Sequence, residues 1–321
     1  MYYCIINPSA RSGRGGNIWG ILENKFKEKN IPYKVVFTNG PGHAIKIANK
    51  LTQKESEELP IKIVVMGGDG TLNEVVSGIQ DFDKVLLGYI PVGSSNDFVR
   101  DMNLPSNKEE IMDRILEGKE LRRVDLGLLR YNHMTKTLSR LHDADLNTTR
   151  HFDVSSGIGF DAAVCEEALA SNTKNFLNKL HLGKLTYLSI AIRQIVSAKK
   201  IPCDIELDDG QTLHLDHFLF VAAMIHPYEG GGFKFAPDAV HDDGYFNICI
   251  VGDLSVPKSF MALPFAYVGK HYNIKGIYHF KARRITIKTM LPMWVHTDGE
   301  VYMKSDSITM ECLEKKLSLM I

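Results

Sequence analysis

The chain has no uninterrupted apolar run near the roughly 18 residues a membrane helix needs, and it opens at once on the strand-like Tyr2-Tyr3-Cys4-Ile5-Ile6. Neither a transmembrane anchor nor a signal peptide is expected. Net charge is absent too. Lys+Arg 38 balance Asp+Glu 38 over 321 residues, which argues against a broad grip on nucleic acid and confines any membrane contact to local patches. Cysteine is scarce: Cys4, Cys165, Cys203, Cys249 and Cys312 are scattered and odd in number, with no Cys-x-x-Cys spacing. They read as reduced core residues of a cytoplasmic protein. Internal repeats, low-complexity tracts and long charge runs are missing. So are a Walker A pattern and a strict Gly-x-Gly-x-x-Gly, which removes the usual signatures of P-loop and dinucleotide binding.

What is present is Gly67-Gly68-Asp69-Gly70-Thr71-Leu72-Asn73-Glu74, delivered directly by the apolar run Ile61 to Met66. Glycines let backbone N–H groups approach phosphate oxygens, while Thr71 adds a hydroxyl and Asp69 an acid. Leu72, Val75, Val76 and Ile79 fit one buried helix face, so the glycine turn is expected at a helix N-terminus, where anions are favoured. Similar material follows two other strand-like runs. Asn7-Pro8-Ser9-Ala10-Arg11-Ser12-Gly13 comes after Ile6, and Pro91-Val92-Gly93-Ser94-Ser95-Asn96-Asp97 after Ile90. If these strands are parallel, all three loops meet at the carboxyl edge of one sheet. Gly157-Ile158-Gly159-Phe160-Asp161-Ala162 fits a looser dinucleotide form, a weak signal standing alone.

The length favours two domains, and 44% hydrophobic residues suffice for both cores. Up to Leu121, strand-like runs alternate with helix-like stretches at 17–29, 43–52, 72–80 and 108–118, implying parallel strands joined by helices. From Leu121 onward short strands dominate: 121–129, 151–155, 204–207, 212–223, 245–251, 278–281, 283–288 and 294–297. This second part is expected to be a mainly antiparallel β-sandwich, with helices at 162–171, 184–199 and 257–268. The fold class expected is therefore an α/β nucleotide-binding domain, mostly parallel with flanking helices, plus that sandwich. The apolar stretch 176–195 reads as core-facing helix, with an acyl groove or bilayer contact as the alternative.

Phosphoryl transfer would also need an activated nucleophile. Asp298-Gly299-Glu300 follows the apolar Met293-Trp294-Val295, which places an acid at a strand end; read alone, Asp-Gly is also a favoured turn pair. Asp69, Asp97 and Asp125 form a second acidic set beside glycines or strand ends. Asp242-Asp243-Gly244-Tyr245 combines carboxylates with turn carbonyls, the ligands hard cations use, or is an ordinary hairpin approach.

Taken in order, these motifs resemble the diacylglycerol kinase catalytic-domain family, which includes bacterial soluble lipid kinases and is related to sphingosine kinases and NAD kinases. The resemblance runs from Asn7-Pro8 with Ser12-Gly13 through Thr38 with Gly42-His43-Ala44, the Gly67–Gly78 run, Pro91 to Asp97, Val124-Asp125-Leu126-Gly127, Gly157 to Ala162, Gly230 to Pro237, Asp242-Asp243-Gly244 and Gly269-Lys270-His271 to Asp298-Gly299-Glu300. Ser94 stands where the family usually has threonine, and the polar segment Arg130 to His151 is longer than expected. The resemblance implies an ATP- and Mg²⁺-dependent lipid kinase, with diacylglycerol the leading acceptor. Nucleotide would contact Asn7, Pro8, Ser9, Ser12, Gly13, Thr38, Gly67, Gly68, Asp69, Gly70, Thr71, Glu74, Gly93, Ser94 and Asn96.

The same resemblance implies Asp298 as general base with Glu300 beside it, Asp69, Asp97 and Asp125 near phosphates and Mg²⁺, and a structural cation on Asp243 and the carbonyls of Val240 and Tyr245. It implies a nucleotide domain over 1–121 with a C-terminal return of about 308–321, and a lipid-acceptor domain over 122–307. The expected partners are a membrane lipid, met by transient peripheral contact at the inner face, and at most a second copy in a homodimer, with no nucleic acid. Two alternatives stay open: NAD-kinase-like phosphorylation of a soluble acceptor, against which Glu74 and the late Asp-Gly-Glu weigh, and a non-catalytic nucleotide-binding regulator.

Overall fold

The computed structural model describes residues 1–53, 59–135, 148–170, 190, 192–198 and 200–321. The chain divides into two compact units, the first comprising Met1–Leu126, His241–Asp243 and Glu314–Ile321, the second Gly127–Val240 and Gly244–Leu313.

In the first unit, strands and helices alternate: β1 (Tyr2–Ile6), α1 (Ala10–Gly13), α2 (Gly15–Glu28), β2 (Tyr33–Phe37), α3 (His43–Gln53), β3 (Ile61–Gly67), α4 (Asp69–Gly78), β4 (Val85–Pro91) and α5 (Lys108–Glu117). The four strands are parallel in the order β4-β3-β1-β2. Residues on both faces of β3 are buried, as its continuous Ile-Lys-Ile-Val-Val-Met run requires of a strand covered by helices. Ile6 pairs with Met66, and Met66 with Ile90. The three strands therefore stop at one level, and their glycine-rich continuations share one edge. Trp19, Leu22 and Phe26 of α2 pack with Tyr2, Val64, Ile90 and Ile115 to close one side of the sheet. The last helix of the alternation has clear end signals: Asn107 caps it by accepting the Glu109 N–H at 2.9 Å, and Gly118, at φ 61°, stops it.

β5 (Leu121–His133) carries the chain into the second unit. There follow β6 (Thr149–Phe152), β7 (Ser155–Gly159), α6 (Phe160–Ala170), β8 (Ile201–Leu207), β9 (Thr212–Phe218), β10 (Phe220–Met224), β11 (Phe246–Val251), α7 (Val256–Tyr267), β12 (Ile277–Ala282), β13 (Arg284–Thr297) and β14 (Glu300–Met320). Within this unit the ladder β12-β11-β10-β7-β13-β14 is antiparallel throughout, with β8 and β9 continuing from β13. The fold thus joins a parallel α/β part to an antiparallel β region, as the sequence pattern implies. β14 is a strand to its end, and its last residues belong to the first unit, where Leu319 and Met320 pair in parallel with Leu87 and Gly88 of β4.

Two stretches divide differently from their sequence pattern. The run 212–223 is two strands, because at Leu219 the backbone changes partners: its N–H donates to Val251 and its carbonyl accepts from Phe160. Conversely, 284–288 and 294–297 belong to one strand, β13, continuous through register shifts between Lys288 and Met293 and between Trp294 and His296. β5 and β6 pair antiparallel from Gly127↔Phe152 to Arg130↔Thr149, so the polar segment 130–151 leaves and re-enters through a strand pair. Its centre, 136–147, and most of the apolar stretch 176–195 lie outside the described residues.

Candidate active site

The glycine loops of the first unit are packed backbone to backbone. A Cβ built on Gly93 would lie 2.6 Å from the Gly68 Cα, and one on Gly68 would lie 3.2 Å from the Gly93 Cα. Val92 donates to the Gly67 carbonyl at 2.8 Å, and Asn7 joins from β1, its Nδ2 donating to Thr71 Oγ1 at 2.9 Å. α4 begins at Asp69 with Gly68 as its cap, so Asp69, Gly70 and Thr71 form its first turn, the end of a helix where anions are favoured, and the Thr71 N–H donates to the Gly68 carbonyl at 3.0 Å. Gly93→Ala is therefore expected to push the two loops apart. The cost should be about 1–3 kcal/mol, with at least a tenfold loss of nucleotide affinity by titration calorimetry; unchanged affinity would show that the loops do not form the cradle.

Asp69 and Asp97 are brought together. The Asp97 N–H donates to Asp69 Oδ2 at 3.2 Å, and Asp97 Oδ1 lies 3.3 Å from Arg100 Nε. Two carboxylates on adjacent loops are hard oxygen donors that suit Mg²⁺. Asn96 turns this loop through φ 51°; its Nδ2 donates to the Gly93 carbonyl, and its buried Oδ1 has no protein partner among the described residues. Ser9, Gly13 and Ser94 are exposed, and Pro8 and Thr38 are half-buried, the Thr38 N–H donating to Ile6 at 2.8 Å.

Two acids of the predicted set sit elsewhere. The Glu74 carboxylate accepts the N–H groups of Gly42 (2.8 Å) and Ala44 (3.0 Å), fastening the start of α3 to α4. Asp125 is fully buried, and its Oδ1 accepts the Lys315 N–H at 2.7 Å, holding a residue at φ 50°. Val240 is exposed while Asp243 and Tyr245 are half-buried, on either side of Gly244 at φ 77°. Their carbonyl and carboxylate oxygens have the right chemistry for a hard cation.

In the second unit, Thr297 and Glu300 pair across a two-residue turn in which Asp298 (φ 50°) and Gly299 (φ 80°) both have positive φ. This is the conformation that favours Asp-Gly in tight hairpins. The turn is anchored by its own acid: Asp298 Oδ1 accepts from Val154 (2.8 Å) and Ser155 (2.9 Å), and Oδ2 from Asp153 (2.9 Å). A carboxylate has about four lone-pair sites, so three N–H donors do not by themselves exhaust it.

Beneath the turn lies a cluster that motif reasoning passes over. His296, fully buried, places Nε2 3.1 Å from Asp161 Oδ2 and 3.4 Å from Glu229 Oε1. Gly157 makes room for it, since a Cβ there would lie 2.0 Å from Asp161 Oδ2 and 2.7 Å from His296 Nε2. The glycines of 157–162 thus have a packing reason that involves no dinucleotide. Burial pulls the proton affinity of His296 down, but Glu229 and Asp161, with Asp298 behind them, outweigh it and push the pKa up to about 9. Against this, the Gly299 N–H points at His296 Nδ1 at 3.2 Å, a bond only the neutral ring can accept. The carboxylates decide, because two buried acids facing one ring outweigh a single hydrogen bond of about 1 kcal/mol. The form that the carboxylates favour is the imidazolium, and a proton on Nδ1 requires the Gly299 N–H to turn off that nitrogen, because two N–H donors cannot face each other at 3.2 Å. The signal available in sequence was a titratable residue inside an apolar strand, two positions before Asp298.

Residues 1–129 match the diacylglycerol kinase catalytic domain, and residues 154–321 match the YegS C-terminal NAD kinase beta sandwich-like domain. The chain belongs to this family of bacterial lipid kinases. It is 30% identical over 300 residues to the Bacillus subtilis (strain 168) protein YtlR, which carries the name of a lipid kinase, covering 94% of this chain and 93% of YtlR. It is 27% identical over 281 residues to the diacylglycerol kinase of the same strain, covering 86% and 82% of the two chains. A crystal structure from Bacillus anthracis str. Sterne that carries a diacylglycerol kinase name superimposes with a TM-score of 0.72 at 25% identity over 99% of this chain and 96% of that one. An NAD kinase from Archaeoglobus fulgidus in complex with ATP shares the fold, with a TM-score of 0.50 at 14% identity, covering 100% and 94% of the two chains.

Proposed function

We propose that the protein transfers the γ-phosphate of ATP to a lipid hydroxyl, with diacylglycerol giving phosphatidic acid. The observation that carries this is the meeting of Gly67-Gly68 with Gly93, and of Asp69 with Asp97, at the carboxyl ends of parallel strands. Backbone N–H groups at the start of α4 and in the Gly93–Asn96 loop would receive the phosphates, and the Asn96 amide oxygen suits a ribose or base donor. Asp69 and Asp97 would hold Mg²⁺, which when bound neutralises charge on the transferring group; Asp125 and Glu74 support the site by fastening its frame. Asp298 would accept the proton of the acceptor hydroxyl, with Glu300 next to it. Asp243 with the Val240 and Tyr245 carbonyls would hold a structural cation.

An apolar cavity in the second unit, bordered by Phe160, Phe220, Phe235, Leu254, Leu263 and Ile277 among others, supports a lipid acceptor. Its volume is about 50 Å³, small for an acyl chain, which would enter only as the lining moves. Contact with the lipid's bilayer would be peripheral; no helix among the described residues is long and apolar enough to cross a membrane.

The test is incubation with γ-labelled ATP, Mg²⁺ and a panel of detergent-dispersed lipid alcohols, with NAD in a parallel tube. Label in phosphatidic acid is the expected result. Label in another lipid would change the acceptor, label in NADP would replace the proposal by an NAD kinase, and nucleotide binding without any labelled product would leave a regulator.

A further inference from the structure

α7 is apolar on both faces. Ser259, Ala262 and Ala266 turn inward, and with Leu263 they border the apolar cavity of the second unit. Met261, Phe265 and Val268 recur at helical spacing on the outer side, where they are 64%, 43% and 57% exposed, and Tyr267 beside them is 55% exposed. A helix apolar all round is normally buried. This one keeps a stripe of large side chains in water, contrary to what burial energetics favour.

Along the stripe itself the charges have one sign, and the exposed acid that precedes α7, Asp253, faces His217 at 3.6 Å. Residues 256–267 contain no acid, and exposed Lys258 and Lys270 stand at either end of the stripe. We propose that this outer face of α7 docks on an anionic phospholipid bilayer, with Met261, Phe265 and Val268 entering the headgroup–acyl boundary and the two lysines meeting lipid phosphates. A second copy of the chain fits less well. Antiparallel α7 helices would set Lys258 of each against Lys270 of the other, and four side chains on three turns fall well short of the roughly 800 Å² per partner of a stable interface. The inference rests on the lipid-kinase proposal and adds the place of contact: the helix whose inner face borders the cavity is the one whose outer face meets the membrane.

The experiment is vesicle sedimentation of the full chain with phosphatidylcholine vesicles containing 0 or 30% phosphatidylglycerol (about a third anionic lipid, chosen to test the charge dependence), comparing wild type, M261D/F265D and K258E/K270E. The expected result is anion-dependent binding by wild type, weakened at least tenfold in both variants, while both variants keep wild-type thermal melting and wild-type turnover of a short-chain diacylglycerol below its micelle concentration. Wild type that ignores vesicles, or variants that bind as well as wild type, would overturn the proposal. So would gel filtration showing a wild-type dimer that M261D/F265D dissolves. If no lipid is phosphorylated in any form, the kinase proposal fails, while vesicle binding still decides the docking face by itself.

Discussion

Asp298→Asn should lower kcat by about 10²–10⁴-fold, the usual contribution of a positioned general base, with nucleotide affinity unchanged by calorimetry. The substitution is conservative where it needs to be. Asparagine tolerates the positive φ of position 298, and its amide oxygen can still accept from Val154 and Ser155. It cannot accept from Asp153, because the new Nδ2 faces that N–H as a second donor. The stability cost should therefore be limited to about 1–3 kcal/mol, visible as a modest fall in Tm. The two effects separate the two roles of this acid. If Tm falls but turnover is intact, Asp298 is a turn lock alone and the base lies elsewhere. If turnover falls by orders of magnitude in a protein still folded at assay temperature, the carboxylate acts on substrate.

His296→Leu should destabilise the protein by about 3–5 kcal/mol, because it leaves Asp161 and Glu229 facing one another around a buried site with no cation between them. The pH dependence follows from the direction of the shift. A histidine whose folded pKa is raised to about 9, against about 6.5 unfolded, contributes stability that is fully present below pH 6.5. That stability is lost as pH rises through 9. Integrated over that window the contribution is on the order of 3 kcal/mol. Urea unfolding at pH 6, 7.5 and 9 should show wild type losing stability across the series and His296→Leu losing less. Subtracting the two curves removes groups they share, such as His241, whose pKa Asp101 raises in the same direction. Parallel curves for both proteins would mean the ring is neutral and bonded to Gly299.

Much of the frame is local and was open to sequence reading. An apolar run that stops at Gly-Gly-Asp-Gly-Thr can be buried on both faces only as an inner strand, and its glycines and acid then have to fall at the strand's carboxyl end. The same holds for Asn7 after β1 and Gly93 after β4. Parallel pairing in register, Ile6 with Met66 and Met66 with Ile90, turns three separate loops into one edge. The Asp-Gly turn before Glu300 was equally plain, because few residue pairs accept positive φ twice in succession.

What tertiary structure alone decided is whatever depends on partners remote in the chain. His296 meets Asp161 across 135 residues, and Asp298 finds its three N–H donors 143 to 145 residues away. The fastening of Glu74 to Gly42 and Ala44, and of Asp125 to Lys315, is likewise invisible in a motif that marks both acids as site residues. The split of 212–223 at Leu219 and the continuity of 284–297 depend on which strands lie alongside. Nor could periodicity say which face of α7 is inside, since both faces are apolar. Composition and spacing establish what a segment can form; which of its groups are buried, paired or left to water is settled only when the remote partner arrives.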